Sequence, residues 1–187
     1  MEADDDADAV EASLARPDCF GVLFDRYHGV IWAFLARTAG HDAADELAGD
    51  VFVAAFTSRH RYDRSCGTVR AWLYGIAMNV QRTHWRSDAR QARALERVAG
   101  GLVTTVTPIE AADDMLDGRH QLDQVRQAMG CLREHYREVL TLFVWERLSY
   151  DEIASALGVE VGTVRSRLAR ARIELRSLVD CRGGARG

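Results

Sequence analysis

From Phe20 to about Ala39, apolar side chains at Phe20, Leu23, Phe24, Tyr27, Ile31, Phe34 and Leu35 recur every three or four residues. That is the period of a helix with one buried face. Gly40 closes it. A second helical pattern runs from about Asp42 to Ser58 and turns Leu47, Ala48, Val51, Phe52, Ala55 and Phe56 inward. The stretch RYDRSCG at 61–67 breaks the period and reads as a loop. A third pattern runs from about Thr68 to Arg93, with Val69, Leu73, Ile76, Ala77 and Val80 as its buried stripe. Sustained alternation of the strand kind is missing, and only Pro17 and Pro108 interrupt the chain as prolines.

The pattern changes at residues 98–120, where glycine pairs, threonines, acids and Pro108 predict a flexible linker. Beyond it, helices are expected near 121–132, 135–146, 149–157 and 160–178. Ser149 and Glu152 form an S-x-x-E capping box that starts a helix at Tyr150. Ile153, Ala154 and Leu157 give that helix an inward face, and Gly158 permits a tight reversal. The next helix carries Val164, Leu168, Ala171, Leu175 and Leu178 on one stripe. The fold class is therefore all-α: two small helical domains joined by a flexible linker, the second containing a helix-turn-helix. The expected division is a disordered acidic tail at 1–16, a first domain at 17–97, the linker at 98–120, a second domain at 121–179 and a loose tail at 180–187.

Charge sharpens this picture. The net charge of the 187 residues is −4, which taken alone argues against a polyanionic partner. Its distribution argues the other way. Residues 1–50 hold three Arg against twelve Asp and Glu, residues 59–97 hold nine Arg against three, and residues 161–187 hold seven Arg against two. Two basic blocks among acidic ones suit contact with nucleic acid. Cys19, Cys66, Cys131 and Cys181 show no metal-ligand spacing and read as free thiols in a reducing compartment. MEADDDADAVEA has no apolar core and is no signal peptide. No apolar run approaches the length that a membrane span needs. A cytoplasmic protein is expected.

Three surfaces carry candidate chemistry. On the helix after Gly158, Gly162, Thr163, Arg165, Ser166, Arg167 and Arg170 lie near the N-terminal end, off the apolar stripe. Small residues there allow close approach, and Thr, Ser and Arg can hydrogen-bond base edges and phosphates in the major groove. On the helix 68–93, a second stripe aligns Trp72, Asn79, Arg82, Thr83, Arg86, Arg90 and Arg93. Arginines that hold phosphates, an amide that reads a base edge and an aromatic that covers an unstacked base fit single-stranded nucleic acid. Trp72 could equally pack in the core, and Trp85 lies off the stripe. On the helix 42–58, Asp42, Asp45, Glu46 and Asp50 crowd the first turns, partly as partners of the helix dipole. With His41 they could suggest a metal site, although nothing nearby has ligand spacing. No catalytic constellation is visible: the chain lacks G-x-S-x-G, a P-loop, H-E-x-x-H and a dinucleotide fingerprint.

The segment LREHYREVLTLFVWERLSYDEIASALGVEVGTVRSRLARARIELRSL resembles the C-terminal DNA-binding region of bacterial sigma factors of the extracytoplasmic-function (ECF) group. LFDRYHGVIWAFLARTAGHDAADELAGDVFVAAF and VRAWLYGIAMNVQRTHWRSDAR resemble their N-terminal domain, so the likeness spans most of residues 20–179. It implies a factor that directs core RNA polymerase to promoters and helps melt the minus-ten element. It implies that the first domain grips the clamp helices of the largest catalytic subunit through Asp45, Glu46 and Asp50. The loop from Tyr62 would then capture a flipped base, with Trp72, Asn79, Arg82, Thr83, Arg86 and Arg90 on the melted strand. The second domain would hold the minus-35 duplex and contact the flap of the second-largest subunit. A protein inhibitor, an anti-sigma factor, is implied as a further partner, with no cofactor, metal or membrane. The family's usual D-L-V-Q-E-T-F stands here as Glu46-Leu47-Ala48-Gly49-Asp50-Val51-Phe52; Ala48 and Gly49 depart from it, which bears on the strength of the contact rather than its place. Two rivals are a stand-alone helix-turn-helix regulator with a helical sensor domain, and a small helical enzyme or metal protein using the Asp42–Asp50 cluster.

Overall fold

A computed structural model of the protein describes residues 2–99 and 129–183. The described residues are helical apart from short turns, and the chain divides into two compact units. The first contains α1 (Glu2–Ala15), a short 3-10 turn (Pro17–Phe20), α2 (Gly21–Ala39), α3 (His41–Ser58), a second 3-10 turn (Arg59–Arg61) and α4 (Val69–Ala99). The second contains α5 (Glu134–Val144), α6 (Tyr150–Leu157) and α7 (Val161–Gly183).

In the first unit α2, α3 and α4 pack against one another. Leu23, Ile31, Phe34 and Leu35 of α2 meet Ala44, Leu47, Ala48, Val51 and Ala55 of α3 and Val69, Leu73, Tyr74 and Ala77 of α4 in a core closed to solvent. Phe34 and Tyr74 meet edge to face, their ring centres 5.3 Å apart, a favoured geometry for two aromatic rings. A polar link crosses this core: Gln81, buried, donates its side-chain amide to Thr38 Oγ1 at 2.5 Å. Gly40 ends α2 with φ at 93°, a backbone state that a side chain would disfavour. Phe24 departs from its expected place. It is 42% exposed, with its ring against His28 and Phe52 at the edge of the core. Ile76 and Val80 are half-buried rather than enclosed.

The expected disordered tail is instead α1. Ala7, Val10 and Ser13 are buried on one side of it. The buried Asp6 carboxylate accepts hydrogen bonds from the Arg26 guanidinium and the Tyr27 hydroxyl of α2. Composition misleads here because these acids are not only solvated: several have arginine partners in the folded unit. The α4 backbone also runs past Arg93 to Ala99, so the first two residues of the expected linker are helical, and α7 takes in 180–183 of the expected loose tail. The rest of the linker, and most of the helix expected at 121–132, lie outside the described residues.

The second unit is built on Met129, Leu132, Tyr136, Val139, Leu140, Leu142, Leu148, Ile153, Ala154, Val164, Leu168 and Ala171, all buried. Ser149 caps α6 as its sequence requires. Its hydroxyl accepts from Glu152 N at 3.2 Å, and the Glu152 carboxylate accepts from Ser149 N at 2.9 Å. Gly158 takes the left-handed conformation with φ at 63° and turns the chain into α7, the usual role of glycine just past a helix end.

Candidate nucleic-acid and polymerase interfaces

The turn at Gly158 presents the first turns of α7 outward. Gly162, Arg165, Ser166 and Arg170 are exposed there, and Thr163 and Arg167 are half-buried. The Ser166 hydroxyl donates to the Thr163 carbonyl at 3.0 Å. Arg165 is held from behind. Its guanidinium lies 5.9 Å from the Tyr150 ring centre, Tyr150 stacks 5.5 Å from Phe143, and Arg172 lies 5.5 Å from Phe143. Contacts of cations with ring faces orient the guanidinium without consuming its hydrogen-bond donors. This supporting pair of aromatics was not singled out in the sequence, since Phe143 and Tyr150 belong to different helices.

The loop before α4 is ordered by its own side chains. Asp63 accepts from Ser65 N at 2.8 Å and from Ser65 Oγ at 2.7 Å. These local bonds hold its carboxyl below the usual range. The Tyr62 hydroxyl donates across the loop to the Gly67 carbonyl at 3.1 Å, and burial pushes its phenol up. Thr68 caps α4, its hydroxyl accepting from Ala71 N at 3.2 Å, one of the orphan donors of a helix start. Trp72 follows one turn later. It is half-buried, and its ring lies 5.3 Å from that of Tyr62. The two alternatives for Trp72 thus merge: one side of the ring rests on protein and part of it meets solvent. Farther along α4, Asn79, Thr83, Arg86 and Arg90 are exposed and Arg82 is half-buried. Asn79 Oδ1 accepts from Arg82 Nη1 at 3.2 Å, and Arg90 Nε donates to the Arg86 carbonyl at 3.0 Å. The Arg93 side chain lies outside the described residues. Trp85 is half-buried, and Gln81 faces the core whereas Asn79 faces outward.

On α3, Asp42, Asp45, Glu46, Gly49 and Asp50 are exposed, whereas Leu47, Ala48, Val51 and Phe52 face the core. Asp45 has a partner that the sequence did not reveal: Trp32 Nε1 of α2 donates to its carboxylate at 2.6 Å, and His41 meets the Trp32 ring edge-on at 5.4 Å. Glu46 and Asp50 lie one turn apart beside it. Among the described residues no group of three or more His, Cys, Asp or Glu side chains is placed to hold a metal ion.

Residues 23–91 match the family described as sigma-70 region 2, and residues 122–175 match sigma-70, region 4. The chain is 32% identical to the RNA polymerase sigma factor CnrH of Cupriavidus metallidurans, across 94% of this chain and 96% of that one. It belongs to the ECF group of bacterial RNA polymerase sigma factors. Similarity is also found to the sigma factor YlaC of Bacillus subtilis, 31% identical across 87% of this chain and 93% of that one. The sigma factor HrpL of Pseudomonas syringae pv. syringae is 33% identical across 77% of each. Among solved structures, CnrH in complex with the cytosolic domain of CnrY superposes with a TM-score of 0.63 at 29% identity, covering 92% of this chain and 95% of that one. As a sigma factor the protein directs core RNA polymerase to promoters, and the stand-alone regulator is not favoured. Sigma factors are not enzymes in themselves. No helix among the described residues is long and apolar enough to cross a membrane.

Proposed function

We propose that the two basic faces divide promoter recognition between them. Gly162, Thr163, Arg165, Ser166, Arg167 and Arg170 of α7 enter the major groove of the minus-35 duplex. Tyr62, Trp72, Asn79, Arg82, Thr83, Arg86 and Arg90 hold the melted minus-ten strand. The observation that carries this reading is the paired Tyr62 and Trp72 rings beside a loop, continued along α4 by an outward amide and exposed arginines. An aromatic surface followed by phosphate-binding cations suits an unpaired strand, where each stacked base is worth about 1–3 kcal/mol. A duplex would leave those rings unused. Flipping a base costs a few kcal/mol, which pocket contacts offset.

Asp45, Glu46 and Asp50 dock on a basic surface of the polymerase clamp helices, with Trp32 holding Asp45 in place. The second unit also meets the flap of the second-largest subunit. The chain supplies recognition, without a catalytic step or a cofactor of its own, and works in the cytoplasm where promoter DNA lies. An anti-sigma factor that covers these surfaces is the expected regulator; the similar CnrH was solved in complex with the cytosolic domain of CnrY.

The separating experiment is Asn79→Ala. Permanganate footprinting of holoenzyme on a cognate promoter is expected to lose reactive thymines around the minus-ten start, while the isolated chain binds the minus-35 duplex as before. Normal melting in this variant removes Asn79 from strand recognition.

A further inference from the structure

The acidic helix α1 reaches the same loop that carries Tyr62. Arg64, at the outer edge of that loop, places Nη2 3.2 Å from Asp8 and Nη1 3.7 Å from Glu11 of α1. These three side chains stay accessible, at 45%, 67% and 57% exposure. Elsewhere α1 is fixed firmly. Buried Asp6 takes the Arg26 guanidinium and the Tyr27 hydroxyl, and the Ser13 carbonyl accepts from Arg59 Nε at 3.4 Å. One face of α1 is therefore anchored on the unit, while its neighbouring face offers two carboxylates to one loop arginine.

We infer that Arg64 is a further DNA-backbone contact of the minus-ten site, and that Asp8 and Glu11 are its built-in competitor, standing where a strand phosphate binds. This rests on the proposed minus-ten role of the loop. The chemistry of the exchange is direct. A guanidinium that faces two carboxylates can present the same nitrogens to two oxygens of one phosphate. Solvent-exposed ion pairs are weak, so a phosphate delivered by a strand already stacked at Tyr62 and Trp72 displaces them readily. The buried Asp6 contacts keep α1 seated while Asp8 and Glu11 let go, since a buried charge without its partner is strongly disfavoured. The consequence is selective. A backbone that meets the loop without a base in place must compete with the carboxylates, whereas a captured base brings its phosphate to Arg64 at high local concentration.

The test is a fluorescence-anisotropy titration of the full chain against a labelled single-stranded oligodeoxythymidylate, run on five proteins: wild type, Asn79→Ala, Asp8→Asn with Glu11→Gln, Arg64→Ala, and the last three substitutions together. The acid variant is expected to bind about threefold tighter, the size of an exposed pair. Arg64→Ala is expected to bind more weakly than wild type. In the Arg64→Ala background the two acid substitutions should leave affinity unchanged, because their target is gone. Tightening of the same size without Arg64 reduces the effect to general charge and overturns the inference, as does an acid variant no tighter than wild type. Circular dichroism checks that α1 stays folded; should the double substitution unfold it, Glu11→Gln alone must still tighten binding by a smaller factor, and its failure to do so also overturns the inference. Should the wild-type chain fail to bind the probe, with Asn79→Ala indistinguishable from it, the minus-ten assignment itself falls and takes this contact with it. Normal binding with no acid effect overturns this inference and leaves the minus-ten assignment standing.

Discussion

At the scale of single residues, outward arginines differ in what holds them. Arg165 stands over Tyr150 in the first turns of α7, whereas Arg176 is exposed nearer the C-terminal end of the same helix. The N-terminal turns of a recognition helix meet base edges. Arg165→Ala should therefore weaken binding of the cognate minus-35 duplex by about 1–3 kcal/mol and relax preference at one base pair. Arg176→Ala should matter less in the same titration, and equal affinity of the Arg165 variant and wild type defeats the assignment. Tyr27 supplies a test of α1 docking. Burial first, then its hydrogen bond to Asp6, raises its phenol well above the ordinary 10.0. The folded state thus keeps a proton that the unfolded chain gives up first. Its contribution is fully present below pH 10.0 and declines as pH rises toward the folded value. Denaturant midpoints followed from neutral to alkaline pH should fall more steeply for wild type than for Tyr27→Phe. Parallel curves mean that this hydroxyl is not held as described.

At the scale of elements, periodic faces were legible and charged ones were not. The buried residues of α3, the capping box at Ser149 and the reversal at Gly158 stand where the pattern put them, because apolar spacing and cap chemistry are local properties. The outward placement of Asn79, Thr83, Arg86 and Arg90 on α4 was legible for the same reason. Helix α1 was missed because its stability is not local. Few large apolar residues mark it. Asp6 becomes acceptable inside only when Arg26 and Tyr27, far along the chain on α2, supply donors. Trp32 on Asp45 and Tyr150 behind Arg165 escaped for that reason too: each pair joins two helices. For α3 itself, the exposed carboxylates of Glu46 and Asp50 leave the core untouched. The double substitution Glu46→Arg with Asp50→Arg should keep the helical circular dichroism spectrum and abolish capture by core polymerase, mainly through association rate and salt dependence. Normal transcription by this double variant moves the docking site elsewhere.

At the scale of the whole molecule, an acidic chain presents two arginine-rich faces, one on each unit. Net charge alone argues against DNA, and its distribution reverses that argument. Each unit has its own core, one around Phe34 and Tyr74, the other around Leu148, Ile153 and Leu168. Under the proposed division of recognition, promoter choice requires both faces to be engaged at once, each raising the effective concentration of the other. The most direct measurement of this account is transcription from fragmented DNA of the native host, with RNA 5′ ends mapped for core polymerase alone, with the wild-type chain, and with the Arg165→Ala and Asn79→Ala variants. The account predicts that the wild-type chain creates a discrete set of start sites sharing two spaced upstream elements. Arg165→Ala should relax the upstream element, and Asn79→Ala should lose initiation while minus-35 binding persists. Start sites identical to those of core polymerase alone, or variants that reproduce the wild-type pattern, would contradict it.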